Sequence, residues 1–266
     1  MIDLSVIIPT CDRPMQLRRA LESVAAQTTG LSCECIIADD GSNGKCGEVR
    51  SIVASFDAQY CSTGGGKGGG EARNRGAAVA QGAFLAFLDD DDAWEPGKLS
   101  EQVPLMATAD TGLSYTGLTI IGTDGSRRYS FRKPRHEHLY RSICRKNFIG
   151  TTSSVMVRRE VFEAVGGFDP TLPALQDYDF YIRLLRKYPI TWTASPLTIY
   201  YSGESRDHVS ESLTRFRKAT ALLLAKYRSD PLLPLLRRSF SHITLLKCVR
   251  SRRFLVEYLR ALLKGR

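Results

Sequence analysis

Four consecutive carboxylates, Asp89-Asp90-Asp91-Asp92, follow directly on the apolar run Phe84–Leu88. Two such charges about 4 Å apart repel by roughly 4 kcal/mol at an effective dielectric near 20, so four packed together demand a cation. A solvated acidic loop is the plain alternative. The run, however, sits where a buried parallel strand would open into a crevice, and open α/β sheets bind their ligands at that carboxyl edge. Donors that are all oxygen suit Mg²⁺ or Mn²⁺ rather than zinc, and such a site would hold something anionic. A second group of carboxylates lies in Gln176-Asp177-Tyr178-Asp179, at the start of a predicted helix whose dipole favours negative charge there. Taken alone, Asp177 reads as a helix cap. The glycine run Gly64–Gly70 encloses Lys67 but lacks the spacing and hydroxyl of a Walker A loop. It reads as a flexible connection, with a lid or a phosphate contact through Lys67 as the alternative.

The elements that must position these groups follow from the hydrophobic pattern. Leu4–Ile8 predicts a buried strand stopped by Pro9, and a helix after Pro14 carries Leu17, Leu21, Val24 and Ala25 on one face, with Asp12 placed to cap it. Cys35–Ala38 predicts a strand ending in Asp39-Asp40-Gly41-Ser42. A helix over 48–55, a strand over 58–61 and a helix over 71–81 lead into Phe84–Leu88. This alternation predicts a doubly wound, mostly parallel sheet with helices on both faces. Beyond the acidic run, a helix is expected from Trp94. Strands are expected at 113–115, 118–121, 128–131, 152–157, 190–193 and 197–201, and helices at 159–165 and from Gln176. From Leu213 the pattern is helical and basic.

The chain has 266 residues, a formal net charge of +9 and 43% hydrophobic residues, the composition of a globular protein with an anionic partner. No secretory signal opens it, and no apolar run reaches the ~18 residues of a spanning helix. Its seven cysteines are odd in number and never spaced C-x-x-C, which predicts reduced thiols in the cytoplasm and no zinc site. Cys33 and Cys35 are expected in the core. The turn after the first strand is not G-x-G-x-x-G, which disfavours a dinucleotide-dependent dehydrogenase.

Three stretches taken together resemble the family 2 glycosyltransferases of the GT-A fold: Ser5–Thr10 with Ala38–Ser42; Ala72-Arg73-Asn74-Arg75-Gly76 with Phe87–Asp92; and Gly166-Gly167-Phe168-Asp169 with Gln176-Asp177. The likeness spans roughly residues 3 to 200. It implies transfer of a sugar from a nucleotide-diphosphate donor, with inversion and a divalent metal. Carried over residue by residue, it places Pro9, Thr10 and Asp12 in the nucleotide pocket, with Asp40 accepting from the base, Asp39 beside it and Arg73 nearby. Asp89, Asp91 and Asp92 take the positions that contact ribose and the metal-bound diphosphate, with Asp91 and Asp92 as metal ligands. His208 is the candidate for a late histidine near the metal, and Asp177 for the general base. Gln176 departs from the glutamate that usually precedes that base.

The resemblance also implies a saccharide or lipid-linked saccharide acceptor at a cell surface. A nucleotidyltransferase building nucleotide-sugars is the alternative enzyme, but its glycine- and basic-rich signature is absent from Pro9–Arg13. A carbohydrate- or nucleic-acid-binding module is the third reading. Without an aromatic platform among the basic residues, no nucleic acid partner is expected. The expected organisation is a catalytic domain over 1–230, with a nucleotide-sugar half to about 110 and an acceptor half beyond, then a basic amphipathic extension over 231–266. In the extension Leu255, Tyr258, Leu259, Leu262 and Leu263 share a helical face. It would pack on the catalytic domain or hold the protein peripherally on the anionic inner face of the membrane.

Overall fold

The computed structural model describes residues 2–41, 46–108, 110–134, 138–202, 212–250 and 256. In chain order the elements are β1 (Leu4–Thr10), α1 (Pro14–Ala25), β2 (Cys33–Asp39), α2 (Cys46–Ser55), β3 (Gln59–Ser62), α3 (Gly69–Val79) and β4 (Phe84–Phe87). Then come β5 (Ala93–Trp94), α4 (Lys98–Leu105), β6 (Leu113–Tyr115), β7 (Leu118–Ile121), β8 (Arg127–Ser130), α5 (Leu139–Arg145), β9 (Val155–Arg158) and α6 (Arg159–Ala164). The chain continues through α7 (Gln176–Leu184), β10 (Ile190–Trp192), β11 (Thr198–Tyr201), α8 (Leu213–Lys226) and α9 (Leu233–Arg250).

The main sheet has the order β10-β6-β9-β4-β1-β2-β3, and a smaller one the order β5-β11-β7-β8. In the main sheet β1, β2, β3 and β4 run parallel, as do β6 and β10, while β9 is antiparallel to both β4 and β6. The predicted mostly parallel sheet is therefore present. Two apolar clusters cover its faces. One gathers Ile7, Phe87, Tyr115, Phe168, Phe180, Leu236 and Phe240; the other gathers Val6, Ile8, Leu17, Ile37, Leu88 and Leu99. Because β1 is central and its residues alternate between faces, Ile7 points into one cluster and Val6 and Ile8 into the other.

Several boundaries differ from expectation for local reasons. β1 does not stop at Pro9, which pairs with Ala38. The Ile7 carbonyl faces β4, accepting from Leu88, and the Thr10 carbonyl faces β2, accepting from Asp40. By alternation the proline nitrogen points to the β4 side, beyond the end of that strand, where no ladder partner is lost. Asp12 does not cap α1: the cap residue is Arg13, without a side-chain cap bond, and Asp12 takes a left-handed conformation at φ 56°. Trp94 belongs to β5, pairing with Thr198, so α4 starts only after left-handed Gly97. Thr152–Ser154 forms a 3-10 turn because the Thr151 hydroxyl accepts from the Ser153 amide; β9 begins after it. Cys33 is exposed and Cys35 half-buried, since burial rises along β2 from its entry to its exit.

Candidate active site

A cavity of about 830 Å³ opens at the carboxyl ends of β1, β2 and β4 and runs past the start of α7 to α8 and α9. Of the residues singled out from the sequence, Pro9, Thr10, Asp40, Arg73, Asp89, Asp91 and Asp177 line it, and so does Lys67. Asp12, Asp39 and Asp92 do not. His208 lies outside the described residues.

The strand ends and the glycine run explain how Asp40 is held. Asp40 is held by main chain that the glycine run supplies: the amides of Lys67 and Gly68 donate to its two oxygens at 2.8 and 2.7 Å, and the Thr63 hydroxyl donates as well. Gly64, Gly65, Gly66 and Gly68 all have positive φ, so this wrap around Asp40 requires glycine. The run is thus a built wall of the cavity and more than a connection. Asp39, buried beneath it, accepts from the Gly41 amide at 2.8 Å and from the Tyr60 hydroxyl at 2.9 Å. Asp12 lies on the other side of Gly41, where an added Cβ would stand 2.7 Å from its Oδ1.

The acidic run divides its labour. Asp89 pairs with Arg73 and accepts from the Thr152 hydroxyl at 3.0 Å. Arg13 bridges Asp90 and Asp91 at 3.2 and 3.0 Å. Asp90, which the motif reading passes over as a spacer, also accepts from Thr10 at 2.8 Å and ties the β1 loop to the β4 loop. Burial lifts its pKa to about 7 against the opposing pull of Arg13. Arg13 and Thr152 carry no sequence signal beyond their types, because they meet the acidic run only through the pairing of β1, β4 and β9. Asp92 is 1% exposed and accepts from the Ser153 hydroxyl, while its Oδ1 is buried with no hydrogen-bond partner. Burial first, and then Asp89 and Asp91, push its pKa well above the carboxylate range.

A buried carboxylate oxygen without a partner, beside two further carboxylates, fits a hard divalent cation. Among the described residues no three His, Cys, Asp or Glu side chains form a ready cage for one. That agrees with how Mg²⁺ is usually bound, by one or two carboxylates completed by the phosphates of the substrate.

Asp177 stands in the first turn of α7, within electrostatic reach of Arg73 and Asp89, and Leu175, not Asp177, is the helix cap. Burial raises its pKa to about 6, outweighing the Tyr178 amide and Arg73, which lower it. The turn before α7 is fixed by glycine: Gly167 has φ 60°, and a Cβ there would meet Asn74 Oδ1 at 2.7 Å. The Asn74 amide donates to the Phe168 carbonyl at 2.7 Å and accepts from the Phe168 amide at 2.9 Å, locking this turn to the helix that carries Arg73. Tyr181, one turn beyond Asp177, has a buried hydroxyl with no partner.

The family model for glycosyl transferase family 2 matches residues 5–166, more than half of the chain. The chain belongs to that family. It is 29% identical over 232 residues to an uncharacterized glycosyltransferase of Haemophilus influenzae, covering 84% of this chain and 76% of that one. It is 25% identical over 218 residues to the uncharacterized glycosyltransferase YwdF of Bacillus subtilis, covering 81% of this chain and 80% of that one. An uncharacterized glycosyltransferase of Rickettsia felis matches at 27% identity over 73% of this chain, which spans only 33% of the Rickettsia protein. Among solved structures, S. aureus TarS 1–349 in complex with UDP-GlcNAc superposes with a TM-score of 0.67 at 18% identity, over 90% of this chain and 73% of that one. The mannosyltransferase PcManGT of Pyrobaculum calidifontis, in complex with GDP-Man and Mn²⁺, gives 0.63 at 17% identity, over 99% of this chain and 76% of that one. The fold of this family 2 glycosyltransferase is thus the GT-A fold expected from its sequence.

Proposed function

We propose that this glycosyltransferase moves a sugar from a nucleotide-diphosphate donor to an acceptor hydroxyl by a single inverting displacement, with Asp177 as general base. One observation carries the reading: a single cavity holds Asp40, Asp89 and Asp91 together with a further carboxylate, Asp177, whose pKa of about 6 suits it to take a proton near neutrality. Pro9, Thr10 and Asp40 would receive the nucleoside, with Asp39 and Asp12 bracing that pocket from behind. Asp89 and Arg73 would face the ribose and diphosphate. Asp91, with Asp92 behind it, would hold Mg²⁺ or Mn²⁺, which when bound neutralises the charge growing on the leaving diphosphate. In the displacement the acceptor oxygen bonds to the anomeric carbon as the bond to the diphosphate oxygen breaks. The electron pair leaves with the nucleoside diphosphate, and the hydroxyl proton passes to Asp177.

In this reading residues 1–110 form the donor half, 111–230 the acceptor half, and 231–266 an extension whose Ile243 helps line the acceptor end. Membrane attachment through 232–266 stays part of the proposal, supported by exposed Leu245 and Leu246 near exposed Arg237 and Arg238. The face formed by Leu255–Leu263 lies outside the described residues. Among those described, no helix is long and apolar enough to cross a membrane. The deciding experiment compares Asp177→Asn with wild type. Donor binding, read as thermal stabilisation by a nucleotide-sugar with Mn²⁺, should persist while transfer falls roughly 10²-fold or more. Undiminished transfer would overturn the assignment.

A further inference from the structure

The arginines that line the cavity differ in their partners. At the donor end Arg13 and Arg73 are neutralised by the acidic run, through Asp90, Asp91 and Asp89. Two more arginines line the cavity, Arg132 just after β8 and Arg215 in the first turn of α8. Both are exposed, and neither forms an ion pair among the described residues; Arg132 donates at 3.2 Å to the Asn147 carbonyl. The lining also includes the apolar side chains of Phe131, Phe148, Leu172, Leu175, Phe216 and Ile243. The Gln176 amide donates at 2.7 Å to the Leu172 carbonyl. A neutral saccharide is usually met by amides and carboxylates aimed at its hydroxyls. Beside the Asp177 carboxylate and the hydroxyls of Ser130, Thr171 and Tyr200, this cavity adds apolar surface and two guanidinium groups, whose planar forks match phosphate oxygens through paired N–H bonds.

Resting on the glycosyl-transfer reading of this cavity, we propose that the acceptor carries a phosphate beside an apolar stem, and that Arg132 and Arg215 receive that phosphate. The phosphate is a bystander to the reaction; it fixes which hydroxyl lies before Asp177. Its source is either a phosphate-linked lipid or a soluble sugar phosphate, and the stem distinguishes the two.

The test uses the full chain with Mn²⁺ and whichever of UDP or GDP raises its melting temperature, so that the donor end is filled. Octyl glucosyl phosphate, octyl β-glucoside, octyl glucuronide and glucose 1-phosphate are then titrated calorimetrically at low and high salt. Octyl glucosyl phosphate should bind at least about tenfold more tightly than octyl β-glucoside, a difference of about 1.4 kcal/mol, and the preference should shrink with salt. Arg215→Gln and Arg132→Gln should each remove several-fold of it, and the double variant all of it. Arg215→Gln alone suffices if loss of the Asn147 contact unfolds the other. Tight binding that requires the octyl stem identifies a lipid-borne phosphate, and equal binding of glucose 1-phosphate a soluble one. Equal affinity for phosphate and neutral ligands, a glucuronide bound better than the phosphate, a preference untouched by the arginine changes, or no binding of any ligand would overturn the proposal. Slow hydrolysis of nucleotide-sugars, measured separately, reports on the transfer reading itself, so the two can fail independently.

Discussion

At the scale of single residues, the site turns on carboxylates whose burial sets their protonation. Asp177, with its pKa raised to about 6, is mostly neutral below that pH and ionised above it. A general base works in its ionised form, so the transfer rate should climb with pH through about 6 and then level off, and a bound cation would move the midpoint lower. The stability effect has the opposite sense. A carboxyl that holds its proton more tightly folded than unfolded gains stability as pH falls from about 6 toward 4. Denaturant melts of wild type and Asp177→Asn should therefore converge on acidification, the substitution losing its advantage. Asp92→Asn makes a separate test. Replacing a buried carboxylate that has one oxygen without a hydrogen-bond partner should leave the metal-free fold as stable or more so. It should also abolish the extra stabilisation that Mn²⁺ gives in the presence of nucleotide, about 2.7 kcal/mol at 100 times the dissociation constant. Mn²⁺-dependent stabilisation equal to wild type would remove Asp92 from the metal site.

At the scale of elements, α7 is held from two sides. Asp179, fully buried, pairs with Arg183 at 2.8 Å and Lys226 at 3.0 Å, and accepts from the Tyr227 hydroxyl at 2.7 Å. Arg183 in turn donates to the carbonyls of Val165 and Gly167, and Lys226 pairs with Asp169 at 2.7 Å. Before the helix, left-handed Leu175 packs with Leu213, Phe216 and Ile243. Asp177 thus lies between two anchors that α8 and α9 supply. Removing one member of a buried ion pair typically costs 3–5 kcal/mol, so Asp179→Ala should lower urea stability by about that much. Tyr227→Phe, which deletes one hydrogen bond, should cost about 1–2 kcal/mol. Gly167→Ala places a methyl group against Asn74 at a positive φ; a loss of about 1–3 kcal/mol is expected, checked by thermal melting.

At the scale of the whole molecule, the helices after residue 212 are built into the core. Leu236 is 0% and Phe240 2% exposed, in the cluster that contains Phe87 and Tyr178, and the Tyr178 and Phe240 rings meet edge to face at 5.7 Å. Because burying each such side chain is worth 2–5 kcal/mol, deleting residues 232–266 should abolish cooperative unfolding, as seen by calorimetry. Membrane attachment is therefore tested by the milder Leu245→Ser with Leu246→Ser, which should reduce sedimentation with anionic vesicles and leave the melting temperature nearly unchanged. The strands that lead to Asp39, Asp40 and the acidic run were legible in the sequence, because the buried stretches of β1, β2 and β4 are mainly apolar, and β2 and β4 run on into carboxylates at the same sheet edge. Local pattern dictates a buried strand, and a parallel sheet then brings the ends together without further instruction. Membership of family 2 was legible for the same reason, since its motifs sit on those ends. What the tertiary structure alone decided are contacts between residues far apart in the chain. Asp90 holding Thr10 and Arg13, Thr152 holding Asp89, and Lys226 and Tyr227 holding Asp179 have no local signature. Nor do Arg132 and Arg215, which share Asp177's cavity only because the segment after β8 and the start of α8, far from α7 and from each other in the chain, both reach it. A sequence prescribes which side chains seek burial, whereas the pairing of one buried charge with another is fixed only when distant elements pack.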